Sequence, residues 1–308
     1  MKITPLYLQK TVPFQSTNRK KDASEPSLAD MEIVNGILNK AQTAKEEADK
    51  IKEQSLFEEK KARAAKLKAQ NEYQKVLAIL DDVTGMRNAP EGTVFTPKKN
   101  ADGSSEIYEG DMLGNVYKIT TLYPDGKIYV KQASNTQGKL DHYYIDTKGG
   151  IIKIMLGVMP LKDGNMSDES IIYSDGQLLA YSKKHFENKH TSTKGEQFVF
   201  KNGEIFDVEY GITKADGFAS VKKTYTYKNS KLQEYIEGYV STKENTFQKR
   251  EIFYTNDEKN TFIYINSDER MKFSNDELKE YICFSDRYHT SAYCKAAFEN
   301  GKCTSYKG

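Results

Sequence analysis

Tyr173-Ser174-Asp175-Gly176 is followed by Phe200-Lys201-Asn202-Gly203, by Tyr227-Lys228-Asn229-Ser230 and by Tyr254-Thr255-Asn256-Asp257, so the phrase returns at one constant interval. Looser copies stand earlier, at Tyr123-Pro124-Asp125-Gly126 and Thr147-Lys148-Gly149-Gly150. In the regular copies an aromatic strand end runs into residues that tolerate positive φ, which a type I′ turn demands at both central positions. The period predicts repeated hairpins, with two strands, one tight turn and one longer loop in each unit.

Hydrophobic alternation around the phrases agrees. Between residues 204 and 210, Phe206, Val208 and Tyr210 share one face while charged residues interleave. Period-two stretches recur at 117–122, 127–131, 151–156, 170–173, 197–200, 222–227, 231–236, 248–254 and 261–265. With no helix-length segment between them, a parallel sheet is excluded and an antiparallel meander of roughly 11 strands is expected over 106–273. Such a meander is an open single-layer sheet in preference to a barrel.

Tyr123-Pro124-Asp125-Gly126-Lys127-Ile128, Tyr173-Ser174-Asp175-Gly176-Gln177-Leu178 and Phe200-Lys201-Asn202-Gly203-Glu204-Ile205 resemble the hairpin units of bacterial MORN-type and related open β-hairpin repeat proteins. The resemblance covers at most half the chain. The usual MORN period is shorter, and its Gly-x-Gly and Trp positions have no counterpart here. What the resemblance implies is scaffolding, surface attachment or partner binding, an analogy of architecture that assigns no activity.

Ahead of the repeats lies a different pattern. Ser27 with Asp30 reads as a capping box, Gly85 as the left-handed terminator, and no Gly or Pro intervenes between Gly36 and Gly85. A long amphipathic helix over 27–84 is expected, coiled-coil-like in its 3,4 spacing: Val34, Ile37, Ala41, Ala44, Ala48, Ile51, Ala62, Ala65, Ala69, Val76, Ile79 and Val83. Ser55, Glu58 and Glu72 interrupt that seam. Glu46 with Lys50 and Glu59 with Arg63 support the solvent face. A helix of this length is not stable by propensity alone, so the seam needs a partner. Two are compatible with it: a second copy, giving a homo-oligomer through residues 34–83, or the chain's own sheet.

The remaining divisions are a flexible tail at 1–26, a turn-rich linker at 85–105 and a Cys-containing helical cap at 274–308, opened by Ser274 with Glu277 and again by Thr290 or Ser291. The fold class is thus α+β: a long N-terminal helix, an antiparallel meander and a small C-terminal helical cap.

Composition bounds the function. Basic and acidic residues nearly cancel, 46 against 44, for a net charge of +2, which argues against nucleic acid or an anionic membrane as partner. Only 37% of the 308 residues are apolar and the mean hydropathy is −0.74, as suits a thin or extended molecule. The 21 Tyr and 14 Phe, with no Trp, suit half-buried strands. No apolar run opens the chain and none approaches a membrane span, so a cytoplasmic protein is expected, with export without a cleaved signal as the alternative.

No nucleophile elbow, phosphate loop, dinucleotide fingerprint or zincin motif occurs, and no catalytic or cofactor-binding residue is assigned. His142, His185 and His190 read as solvated or packed groups. Cys283, His289, Cys294 and Cys303 are four soft ligands in one short stretch, yet they lack the Cys-x2-4-Cys pair that places two zinc ligands on one turn. The plainer reading sets Cys283 against Cys294 as small apolar groups or one disulfide, with Cys303 spare. The expectation is a non-enzymatic scaffold presenting a sheet to a protein partner; the alternative is an exported or surface adhesin or effector binding glycan or host protein.

Overall fold

The computed structural model describes residues 28–133, 140–156, 159–161, 164–166, 169–188, 192–214, 219–241, 246–255, 261–285 and 291–308. The tail expected at 1–26 lies outside the described residues. One helix, α1 (Leu28–Asp81), comes first. It ends as the glycine predicted, with Gly85 at φ 74° and its N–H donated to the Asp82 carbonyl.

The meander opens with β1 (Val94–Lys99), β2 (Ser105–Gly110), β3 (Val116–Leu122), β4 (Ile128–Ala133), β5 (Leu140–Asp146) and β6 (Ile151–Leu156). A side hairpin of β7 (Met159–Leu161) and β8 (Gly164–Met166) interrupts it. It resumes with β9 (Glu169–Ser174), β10 (Gln177–Asn188), β11 (Ser192–Lys201), β12 (Glu204–Lys214), β13 (Ala219–Lys228), β14 (Lys231–Ser241) and β15 (Thr246–Tyr254). It closes with β16 (Phe262–Ile265), β17 (Glu269–Ser274), β18 (Glu277–Phe284), β19 (Ala292–Glu299) and β20 (Lys302–Lys307).

Apart from the side hairpin these form one 18-stranded sheet in which each strand pairs antiparallel with its neighbours in sequence. The strands at the two ends, β1 and β20, each have one neighbour, so the sheet is open. This is the expected α+β meander, with more strands than the period alone revealed.

Two turn chemistries build it. Asn229 and Ser230, at φ 52° and 58°, form the type I′ turn between β13 and β14, and Asp175-Gly176 and Asn202-Gly203 do the same in the two preceding units. An extra residue follows each of these turns, at Leu179, Phe206 and Gln233, a bulge that adds twist. The first hairpins instead use three-residue loops closed by Gly103, Gly114 and Gly126 in the left-handed region.

The helical cap expected at 274–308 is replaced by strands. The described residues there form β18, β19 and β20, because Phe273-Ser274-Asn275-Asp276 and Phe298-Glu299-Asn300-Gly301 are two more turn phrases, with positive φ at both central residues. Ser274 and Glu277 face each other across a hairpin and cap nothing. The segment read as a linker, 85–105, contains β1 and the first residue of β2.

The helix lies across the strands. Tyr254 donates its phenol to the Ala48 carbonyl at 2.8 Å, and Tyr227, one repeat earlier, donates to the Ser55 carbonyl, one heptad later, at 2.8 Å. One heptad of helix rises about 10.5 Å and two strands span about 9.6 Å, so one heptad matches one hairpin unit. The same step leads to Ala62 with Phe200 and to Ala69 with Tyr173, all in one buried cluster. Over the whole molecule, 54 helical residues give about 81 Å, and 17 strand spacings give about 82 Å.

The heptad seam is therefore buried against the chain's own sheet. Ala62, Ala69 and Val76 are fully covered, and alanine lets the strands approach the helix backbone. Beneath them a cross-strand row runs Ile154, Ile171, Tyr181, Phe198, Val208, Tyr225, Tyr235, Ile252, Tyr264, Met271, Tyr281. Burying each such side chain contributes about 2 kcal/mol, the main term holding the two layers together. Among the described residues no helix is long and apolar enough to cross a membrane.

Candidate functional site

The two faces of the sheet differ in kind. On the helix side, beyond the apolar row, a second row carries alternating charge: Glu169, Lys183, Glu196, Tyr210, Lys223, Glu237 and Arg250 stand opposite one another from β9 to β15. Opposite charges on facing strands attract, and here the helix joins in. Arg250 bridges Glu237 and the helix residue Glu47, the latter at 2.7 Å, and Tyr264 donates to the same Glu47 at 2.8 Å. Lys68 and Tyr181 both meet Glu169, at 2.5 and 2.9 Å. Tyr210 donates to Glu58, beside Lys61. Lys40 and Tyr281 converge on Glu269.

At these stations a carboxylate is held between a phenol and a cation. Burial pushes the Glu269 carboxyl up, but hydrogen bonds from Lys40, Tyr281 and Asn266 prevail and hold it below its usual range. Burial pushes the phenols of Tyr181, Tyr210, Tyr235 and Tyr281 up, so they stay neutral and donate. Two of the three interruptions of the seam now have roles: the Ser55 carbonyl accepts Tyr227, and Glu58, 2% exposed, accepts Tyr210. Chemically this flank is a set of closed hydrogen bonds that clamps helix to sheet.

Among the described residues the opposite face carries no helix. Across β13 to β18 one of its rows reads Thr224, Ile236, Glu251, Ile265, Arg270, Ile282. The adjacent row reads Thr226, Glu234, Phe253, Ile263, Lys272, Glu280. Phe253, Ile263, Ile265 and Ile236 adjoin as a half-buried apolar patch rimmed by both signs of charge. To one side a third row holds Gly195, Gly211, Lys222, Gly238 and Lys249. A Cβ added at Gly211 or Gly238 would meet nothing within 4 Å, and neither has positive φ, so nothing inside the chain requires glycine there. Glycines in a strand interior leave backbone open to close approach.

A cleft of about 340 Å³ opens at the other flank of the helix, between Asp49, Lys52 and Leu56 above and Tyr227, Tyr254 and Phe262 below. It falls beside the connection of β15 to β16, which the Thr255 N–H closes on the Thr261 carbonyl at 2.9 Å.

Among the described residues the three cysteines do not come together as a set. Cys283 on β18 stands directly opposite Cys294 on β19. Cys303, on β20, pairs with Phe298 and donates its thiol to the Ser305 carbonyl at 3.3 Å. His289 and His190 lie outside the described residues, as does the side chain of His185. His142 is on the helix-free face, its Nδ1 2.6 Å from the Tyr129 hydroxyl. Neither the polar flank nor the apolar patch was picked out from sequence; the available signals were Glu58 and Glu72, charges at seam positions.

No protein-family model matches this chain, and no curated protein matches it.

Proposed function

We propose that the chain is a non-enzymatic scaffold that presents the helix-free face of its sheet to a protein partner, with α1 serving as the brace behind it. The observation that carries this reading is the rimmed apolar patch of Phe253, Ile263, Ile265 and Ile236 on a face that no helix among the described residues covers. Half-buried apolar groups ringed by charge are the composition of a protein-binding surface. The glycine row beside it offers backbone to whatever docks. A partner of protein rather than nucleic acid fits a rim in which the acidic Glu234, Glu251 and Glu280 outnumber the basic Arg270 and Lys272. Because the heptad seam is buried, a homo-oligomer through residues 34–83 would have to use the exposed side of the helix, where Leu56, Phe57 and Leu67 stand.

The test is a pair of variants, Ile263→Asp with Ile265→Asp on the patch, and Leu67→Asp on the exposed side of the helix, used as bait against the chain's native extract. Binding lost with the patch variant and kept with the helix variant supports the reading. Binding kept by the patch variant, with a footprint in the cleft at Leu56, would move the site to the other side.

A second reading, an exported or surface adhesin or effector, is favoured by the directly opposed Cys283 and Cys294, since paired cysteines belong to oxidising compartments. Recovery of the chain from cytosolic fractions alone would exclude it and leave the cytoplasmic scaffold.

A further inference from the structure

We infer that Cys283 and Cys294 form a reversible disulfide that staples the last hairpin to the rest of the sheet. The two residues are direct cross-strand partners in the register of β18 with β19, both on the helix side of the sheet. Directly opposed residues of an antiparallel pair have Cα atoms about 4.5–5.5 Å apart, inside the range a disulfide spans. Both thiols are free in the structure. The helix residue Lys40 lies within electrostatic reach of both sulfurs.

The position gives the bond a purpose. Beyond β18 the sheet consists of β19 and β20 alone, and β20 is an edge strand with a neighbour on one side only. The connection between β18 and β19 is longer than a two-residue turn, and the register slips beside Cys283. A bond across this pair closes a loop of about ten residues near the C-terminal end of the sheet, and it removes unfolded-state freedom accordingly.

The chemistry balances with a peroxide as oxidant. Hydrogen peroxide oxidises one thiol to a sulfenic acid with release of water, and the facing thiol displaces the hydroxyl as a second water, forming the S–S bond. Cys283, the more exposed of the pair, is the one peroxide reaches first, with Cys294 resolving it. Cys303 has no cysteine opposite it and stays a thiol.

The experiment treats the full chain with hydrogen peroxide, blocks remaining thiols with an alkylating reagent, and maps the digest by mass spectrometry without reduction. Expected are a single linked peptide pair joining Cys283 to Cys294, an alkylated Cys303, and full reversal by dithiothreitol. A Cys303→Ser variant forms the same bond, and a Cys294→Ser variant leaves a sulfenic acid on Cys283 that dimedone captures. The oxidised chain melts roughly 2–6 °C above the reduced one. A bond to Cys303, or three alkylatable thiols after peroxide, overturns the inference. So does an oxidised chain that melts lower, because the native register would then not hold the bond.

Discussion

The strands under the helix and the strands that precede them are both antiparallel hairpins, joined by different turns, and they are held by different means. From β9 to β18 the sheet has a second layer: Tyr227 and Tyr254 reach the helix backbone, Glu58 and Glu269 are enclosed, and the central row is buried. From β1 to β3 the cover thins out: Leu122 at the end of β3 still packs on the main cluster, but little beyond it does. Val94 and Val116 are 42% and 52% exposed, and Met112 and Leu113 at a turn are almost bare. Ile107 is buried but lies outside the main cluster, and what ties this end to the helix terminus is the pair of Lys118 with Glu109 beside Gly85. Repeated turns thus fix the connectivity of a single-layer sheet, while its stability comes from the layer laid across it.

That contrast is open to breaking. The largest effect is expected from Ala62→Asp, which puts a charge at a fully buried seam position with no partner. Loss of more than about 4 kcal/mol, seen as a collapsed melting transition by circular dichroism, should follow. Alkali should act next. Burial raises the phenols of Tyr173 and Tyr264 to about 12 from an ordinary 10. A phenol whose folded pKa is raised contributes stability that is whole below pH 10 and is lost as pH climbs from 10 toward 12. Phenolate absorbance should therefore rise together with loss of near-ultraviolet dichroism in that window. Separated transitions would show that these rings are not enclosed.

Core truncation sharpens the comparison directly. Ile252→Ala, under the helix, should cost about 2–5 kcal/mol in denaturant melts, while Val116→Ala in β3 should cost less than about 0.5 kcal/mol. The smallest effects concern single hydroxyls. Tyr227→Phe removes the donor to the Ser55 carbonyl and should cost about 1 kcal/mol. Tyr173→Phe should be neutral or stabilising by about 1 kcal/mol, because that buried hydroxyl has no hydrogen-bond partner among the described residues.

The regular hairpins were legible because Asp-Gly and Asn-Gly are local signals and a constant period repeats them. The helix was legible for the same reason, with 27–84 expected and Leu28–Asp81 found. The last strands were not. After Tyr254 the phrase returns early, at Phe273, and then again at Phe298, so the period fails there. Ser274 with Glu277 then satisfies a capping box and a hairpin equally well, and only the pairing of β17 with β18 decides. The polar flank was hidden for another reason. Glu58 meets Tyr210 across 152 residues, and Glu47 meets Arg250 across 203. Such contacts depend on the phase between helix and sheet, which no local pattern contains. The apolar patch is likewise a product of register, since Phe253 and Ile263 become neighbours only when β15 and β16 align.

The central claim is that the heptad seam of α1 belongs to the chain's own sheet. Producing residues 82–308 without the helix tests it most directly, by light scattering on a sizing column combined with a thermal melt. The account predicts that the truncated chain exposes the row around Tyr225 and Ile252, binds hydrophobic dye and associates without a cooperative transition. A monodisperse monomer with a sharp melt would contradict it, and would show that the sheet stands alone and that the seam serves another partner.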